Sequence, residues 1–250
     1  MPLIYFHLSI SRDVAERLGH PVVDEYPESF LGGVISPDAH YADAISRIDT
    51  HFFDLDGGDD QSSPMEFFAK HPRLSRGEVA DGRMAAFVAG YISHLVTDEA
   101  WITDIYRPFF GKASPLGGDA AANTLDRMLQ YEADRWERLN TSKLAAIRDE
   151  LGRWDPEVDI GFVSPAALKD WRDFVWATTV REVNNADFRM FARGFLISRE
   201  GIVAEHLDSF LEAMPQKLEW AIEYVTPQRI KSFRDKAIEL SVAVAREYLG

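Results

Sequence analysis

The sequence predicts an all-α protein. Apolar residues recur at helical spacing along most of the chain, and few segments alternate between apolar and polar residues as strands do. Two later segments begin with a capping residue followed by proline, at Ser164-Pro165 and Thr226-Pro227, which is typical of helix starts. With 250 residues, of which 46% are hydrophobic, the chain is long enough to bury a large core.

The helix boundaries follow from the periodicity and from glycine and proline residues. Gly19 ends the first predicted helix, and Pro108 ends the long central one. Polar, glycine-rich segments between helices are predicted loops. The predicted helices cover about 3–19, 77–106, 120–150, 164–182, 199–213, 215–225 and 227–248, and the predicted loops cover 54–64 and 111–119.

Composition and charge exclude several classes of function. The formal net charge of -14 repels phosphate backbones, so we expect no nucleic-acid partner. The chain contains no cysteine, so any metal must be held by histidine and carboxylate side chains. No stretch approaches the roughly 18–20 apolar residues of a membrane span, and the start of the chain does not resemble a signal peptide. We therefore expect a cytoplasmic protein without integral membrane association, whose oligomeric state the sequence does not indicate.

His94 and Asp98 form the sharpest candidate site. Residues four apart on a helix share one face, with Cβ atoms about 6 Å apart, so one cation can bind both side chains. Their surroundings are apolar, and an ionised Asp98 there would be costly without a compensating cation. Asp38 and His51 are two more ligand-type residues amid apolar neighbours upstream. The alternative is a buried histidine hydrogen-bonded to a carboxylate, without a metal.

Three segments together resemble the zinc-dependent phospholipase C family. They are GGVISPDAHY, the segment with Arg47 and Thr50-His51-Phe52, and FVAGYISHLVTDEAW, and the resemblance spans about residues 3–104. It implies a multi-helix bundle of that family's type, which binds one or two zinc ions or other divalent metals. It also implies a tetrahedral site and a second metal bound by a residue of the first helix, with Asp98 bridging. The ligands implied for the first site are Asp38, His51, His94 and Asp98, and the residue implied for the second metal is His7.

The sequence also departs from the secreted enzymes of this family. Those enzymes use a processed N-terminal tryptophan as a ligand, whereas this chain begins Met-Pro. They carry a later histidine and an HxxxE pair for a third metal. Here His206 is the only histidine after Asp98, and no HxxxE follows. A three-metal mechanism is therefore not predicted.

The function that we expect is hydrolysis of a phosphate ester, of a small molecule or a lipid, by a metal-bound hydroxide. Asp38 is the candidate catalytic residue, because it can both ligate the ion and accept the proton of the water. The alternative is a non-catalytic helical protein with a structural metal site, since closed four-ligand sites are usually structural. We expect one domain over residues 1–250, with a metal-site half at about 1–115 and a helical cover at about 116–250.

Three further polar residues have more than one interpretation each. His40, two residues from Asp38, either supports the site or lies at the surface. Glu99 and Asp104 either orient ligands, or are surface charges, or pair with Arg83 and Arg107.

Overall fold

The structure is a computed structural model that describes residues 3–42, 45–55, 57–58, 60–180 and 207–250. None of these residues lies in a β-strand, and the prediction of an all-α fold is confirmed. His206 and the first part of the helix predicted over 199–213 lie outside the described residues. Within the described part, no helix combines the length and the apolar character needed to cross a membrane.

Most of the described residues lie in helices, which are joined by short connections. The α-helices are α1 (Ile4–Leu18), α2 (Pro21–Glu25), α3 (Pro27–Ile35), α4 (Arg47–His51), α5 (Ser63–Lys70), α6 (Gly82–Trp101), α7 (Ala120–Arg138), α8 (Thr141–Arg153), α9 (Pro165–Thr178), α10 (Leu207–Val225) and α11 (Pro227–Leu249). Two short 3-10 helices cover Ser36–Tyr41 and Pro72–Leu74, and a π-helix covers Ile102–Phe110.

Side-chain caps determine several of these boundaries. Ser164 and Thr226 accept hydrogen bonds from backbone N–H groups at the starts of α9 and α11, as predicted. Asn140 accepts a hydrogen bond from the N–H of Lys143 in the same way. This cap starts α8, so the prediction of one helix over 120–150 is wrong, and two helices are present instead.

Two prolines do not end their helices, contrary to prediction. Pro215 lies inside α10, which runs through the predicted break between 213 and 215 and packs against α7. Pro108 lies inside the π-helix that extends α6, whose last turn is closed by a hydrogen bond from Gly111 N–H to Tyr106 O. The wider π-turn leaves more room for the proline ring than an α-turn does. Tertiary packing therefore outweighs the local preference at both prolines.

Helices α3 and α6 cross in direct backbone contact, and this crossing positions the candidate site. A Cβ atom on Gly33 would lie 1.9 Å from Phe87 O, and one on Gly90 would lie 1.9 Å from Phe30 O. Only glycine fits at either position, because real Cβ contacts are not that short. The close approach places the carbonyl of Val34 beside the side chain of α6 that lies one turn beyond Gly90.

The start of α1 is fixed by the C-terminal part of the chain. No side chain of the preceding residue caps α1, and Asp134 of α7 instead accepts hydrogen bonds from the N–H groups of Tyr5 and Phe6. The ring of Phe6 stacks on that of Phe233 in α11, with centroids 5.8 Å apart. These contacts anchor the first helix to two of the later ones.

Candidate metal centre

The structure brings all five predicted site residues together. Their donor atoms form two overlapping groups, and within each group all atoms lie within 4.8 Å of one another. The two groups are His7, His94 and Asp98, and Asp38, His51 and His94. They come from α1, the 3-10 helix after α3, the end of α4, and α6. All are buried except Asp38, whose side chain is 15% exposed.

Hydrogen bonds to the outer ring nitrogens fix the protonation of two of the histidines. His94 Nδ1 lies 2.7 Å from Val34 O, and a carbonyl oxygen only accepts, so Nδ1 carries the proton. His51 Nδ1 lies 2.9 Å from Thr50 Oγ1, whose own hydrogen is donated to a backbone carbonyl. His51 therefore also donates through Nδ1. In both neutral rings the inner nitrogen, Nε2, is left with a lone pair.

These two lone pairs face each other with no proton between them. The Nε2 atoms of His51 and His94 lie 3.3 Å apart, and Asp38 Oδ1 lies 3.3 Å from His51 Nε2. Asp98 Oδ2 lies 3.5 Å from His51 Nε2 and 3.8 Å from His94 Nε2. Such a set of acceptors repels itself unless a cation lies among them. The donor set therefore fits a metal ion.

The distances also suit a small tetrahedral ion. Ligand atoms bonded to zinc at about 2.0–2.1 Å in a tetrahedron lie about 3.3–3.5 Å apart. The contacts of His51 Nε2 with its three neighbours span 3.3–3.5 Å, close to that value. Asp38 and Asp98 fall into different groups, so their carboxylates are the pair farthest from tetrahedral spacing.

Burial and charge act on these groups in opposite directions. Burial lowers the pKa of His51 to about 4, assisted by the charge of Arg47, and lowers that of His94 to about 3, assisted by His7. Both rings are therefore neutral near pH 7, the form that binds metals. Burial acts to raise the pKa of Asp38 and of Asp98, whereas positive charge at the neighbouring histidines lowers both pKa values below the ordinary range. With the rings of His51 and His94 neutral, a cation bound among them would supply that positive charge and keep both carboxylates ionised.

In addition to His51 and His94, Asp98 contacts a third histidine and an arginine. Its Oδ1 lies 3.1 Å from His7 Nε2, and its Oδ2 accepts a hydrogen bond of 2.9 Å from Arg47 Nη2. The His7 ring also stacks on that of His94, with centroids 3.9 Å apart. Asp98 thus contacts His7 through Oδ1 and both His51 and His94 through Oδ2, as a bridging carboxylate would.

His7 differs from the other two histidines in one respect. Metal-ligating imidazoles usually donate their second N–H to an acceptor, as His51 and His94 are placed to do. His7 Nδ1 is buried and has no hydrogen-bond partner in the described structure. The geometry therefore supports the site of Asp38, His51, His94 and Asp98 more strongly than a second ion at His7.

The three further polar residues, His40, Glu99 and Asp104, lie outside the group of candidate ligands. His40 is 7% exposed, donates through Nδ1 to Pro37 O and meets the ring of His51 edge-on, so its surface alternative is wrong. Glu99 accepts hydrogen bonds from the backbone and hydroxyl of Ser63 and so holds α5. Asp104 pairs with Lys236 of α11. Glu99 and Asp104 therefore tie helices together, in contacts that the sequence did not indicate.

A family model matches the part of the chain that holds these histidines and aspartates. Residues 6–101 match the family model of zinc dependent phospholipase C. The resemblance predicted over about 3–104 is confirmed for this N-terminal part of the chain, which holds all five candidate ligands. No curated protein and no solved structure matches the chain. The zinc-dependent phospholipase C match ends where the π-helix begins, so α7 to α11 lie outside it.

Arg47 is the residue whose position sequence reasoning missed. The sequence pattern places Arg47 only in the segment of His51, yet its guanidinium contacts Asp98 directly. Arg47 precedes His51 by four residues, the spacing that places two side chains on one face of a helix. That spacing was the signal that could have found it.

Proposed function

We propose that this protein is a metal-dependent phosphoesterase that hydrolyses a phosphate ester, resembling zinc-dependent phospholipase C. The observation that carries the proposal is the facing pair of Nε2 lone pairs on His51 and His94, next to an ionised Asp38. The match of this part of the chain to a zinc-dependent hydrolase family supports zinc as the ion. The family name supports a phospholipid or a related small phosphodiester as the substrate.

Bound zinc would lower the pKa of a water molecule to about 7 and offset the charge that builds up on the phosphoryl group. Asp38, His51, His94 and Asp98 would hold the ion, and His7 would hold a second one beside Asp98. Asp38 is the most exposed of the five residues, so it borders the side from which substrate and water arrive.

Asp38 is proposed to act in proton transfer. During hydrolysis the water oxygen bonds to phosphorus, the ester oxygen leaves, and a proton of the water passes to a carboxylate oxygen. Because its pKa is lowered, Asp38 is ionised and can orient the water by accepting its hydrogen bond. The same low pKa makes it a weak base, so the proton is transferred as the bond to phosphorus forms.

The second candidate is a non-catalytic helical protein with a structural metal site. It is favoured by the burial of the inner ligands, since the side chains of His7, His51, His94 and Asp98 are at most 4% exposed. A closed four-ligand site of this kind is usually structural. The exposure of Asp38 favours the catalytic candidate over this one.

Hydrolysis assays on the zinc-loaded protein test the choice. We expect release of product from bis(p-nitrophenyl) phosphate, from p-nitrophenyl phosphate or from phosphatidylcholine vesicles. Asp38→Asn should lower the rate by about 100-fold or more, as expected for loss of a general base. Zinc-loaded protein that hydrolyses none of the three faster than zinc in buffer would support the structural site instead.

A further inference from the structure

Resting on the function proposed above, we infer that Arg47 is a substrate-binding residue, whose guanidinium binds two oxygens of the phosphoryl group at the metal centre. Arg47 lies at the end of the site that is open to solvent. Its side chain is 20% exposed and that of Asp38 is 15% exposed, whereas that of Asp98 beneath them is 4% exposed. A substrate that reaches Asp38 from solvent therefore meets Arg47 as well.

One edge of the Arg47 guanidinium carries two parallel N–H donors, here called its two prongs, and only one of them donates a hydrogen bond. Nε–H and one Nη2–H point the same way, which is the geometry that binds two oxygens of a carboxylate or a phosphate at once. Arg47 Nη2 donates to Asp98 Oδ2, while Arg47 Nε is buried and has no hydrogen-bond partner in the described structure. Asp98 cannot fill both prongs, because its Oδ1 is turned towards His7.

Charge in the site favours an anionic group at the same place. The carboxylates of Asp38 and Asp98 exceed Arg47 by one negative charge, and a divalent ion would turn this into an excess of one positive charge. One phosphodiester anion would balance it. An ion bound by Asp98 Oδ2 would also compete with Arg47 for that oxygen, which leaves both prongs for the substrate. Arg47 would then supply a permanent cation without any further metal.

The rival explanation is that Arg47 merely neutralises the buried Asp98. A lysine at this position would still neutralise Asp98, but it offers no two-pronged edge. Arg47→Lys therefore separates the two roles, and Arg47→Gln removes both. Arg83→Gln is the matched control, since Arg83 pairs with Glu28 at the far end of α6 and is 64% exposed.

The experiment measures binding of inorganic phosphate to zinc-loaded protein by titration calorimetry, together with the zinc content of each variant. We expect Arg47→Lys to keep its zinc and its melting temperature but to bind phosphate about tenfold more weakly, and Arg47→Gln more weakly still, because the two-pronged contact is lost. Arg83→Gln should bind phosphate as the wild type does.

Two results would overturn the inference. One is an Arg47→Lys variant that keeps zinc and binds phosphate as tightly as the wild type does. The other is loss of zinc from both Arg47 variants, which would assign the residue to support of the metal ligands. If the zinc-loaded wild type neither binds phosphate nor hydrolyses any ester, the proposed function itself fails. That outcome is distinct, because in the first two cases the wild type still binds phosphate.

Discussion

Replacing Gly90 by alanine should separate the two helices that carry the candidate site. The added Cβ would lie 1.9 Å from Phe30 O, and contacts under 3.0 Å essentially never occur, so the backbones must move apart by at least the difference, 1.1 Å. A gap of about 0.5–1 Å already loses a quarter to a half of the dispersion energy of each contact. We expect a cost of about 3 kcal/mol, at the upper end of the range for overpacked cores.

The same movement should weaken metal binding. The hydrogen bond from His94 to Val34 O spans these two helices at 2.7 Å, and a shift of that size would break it. Loss of such an orienting partner typically lowers metal affinity by about 10–100-fold. Thermal unfolding followed by circular dichroism should show a melting temperature lower by about 6–12 °C for a chain of this size. Competition with a chromophoric chelator should show the weaker zinc binding.

Gly152 provides the matched control for this substitution. Gly152 is exposed in α8, and a Cβ there would lie 3.2 Å from the side chain of Trp176. That side chain is partly exposed, so it can move away. Gly152→Ala should therefore stabilise the protein by about 0.5–1 kcal/mol through helix propensity. If Gly90→Ala melts within about 2 °C of the wild type and binds zinc equally well, the direct backbone contact is not what positions His94.

Four further outcomes are expected. Protein purified without added metal should contain about one to two zinc-like ions per chain by elemental analysis, and less than about a tenth of an equivalent, with no rebinding, would contradict the metal centre. His94→Ala should lose the metal and melt at a lower temperature, because it leaves carboxylates uncompensated, whereas His20→Ala should retain the metal; equal melting curves for His94→Ala and the wild type would count against a buried site. His7→Ala should lose one metal equivalent while the four-ligand site stays occupied, and an unchanged metal content would argue against a second ion. Burial acts to raise the pKa of Asp13, but basic side chains of α8 and α11 outweigh it and lower the pKa below its ordinary 3.8. Asp13 therefore stabilises the folded protein above about pH 4, and this stabilisation is lost as the pH falls through the lowered pKa. Urea unfolding should thus separate Asp13→Asn from the wild type at pH 6 and less so near pH 2, and a constant difference would refute this.

Local sequence signals predicted most of the helices but not every position at which one helix ends and the next begins. Proline and capping residues located the starts of α9 and α11 correctly. The helix ends predicted at Pro108 and before Pro215 were wrong, because a helix continues past a proline when tertiary contacts hold the residues on both sides. Asn140 was overlooked, since a polar residue within an amphipathic pattern can as well lie on the exposed face as cap a new helix.

The candidate ligands could be predicted from the sequence, but the groups that orient them could not. Helical spacing pairs His94 with Asp98, and the family resemblance supplied Asp38, His51 and His7, all of which the structure brings together. The partner that orients His94 is a backbone carbonyl, Val34 O, which carries no sequence signal, and the partner of His51 is the hydroxyl of Thr50.

The hydrogen bonds from α1 to Asp134 have a consequence for how such proteins can be varied. The stretch that matches the family contains every candidate ligand, yet the helix that carries His7 begins on a carboxylate from outside that stretch. Grafting residues 6–101 onto another helical scaffold would therefore leave the start of that helix unanchored unless the scaffold supplied an acidic residue at the same place. Selection on the chemistry would then reach more than a hundred residues along the chain, to a position that touches neither ion nor substrate. The later helices would then be constrained where they contact α1.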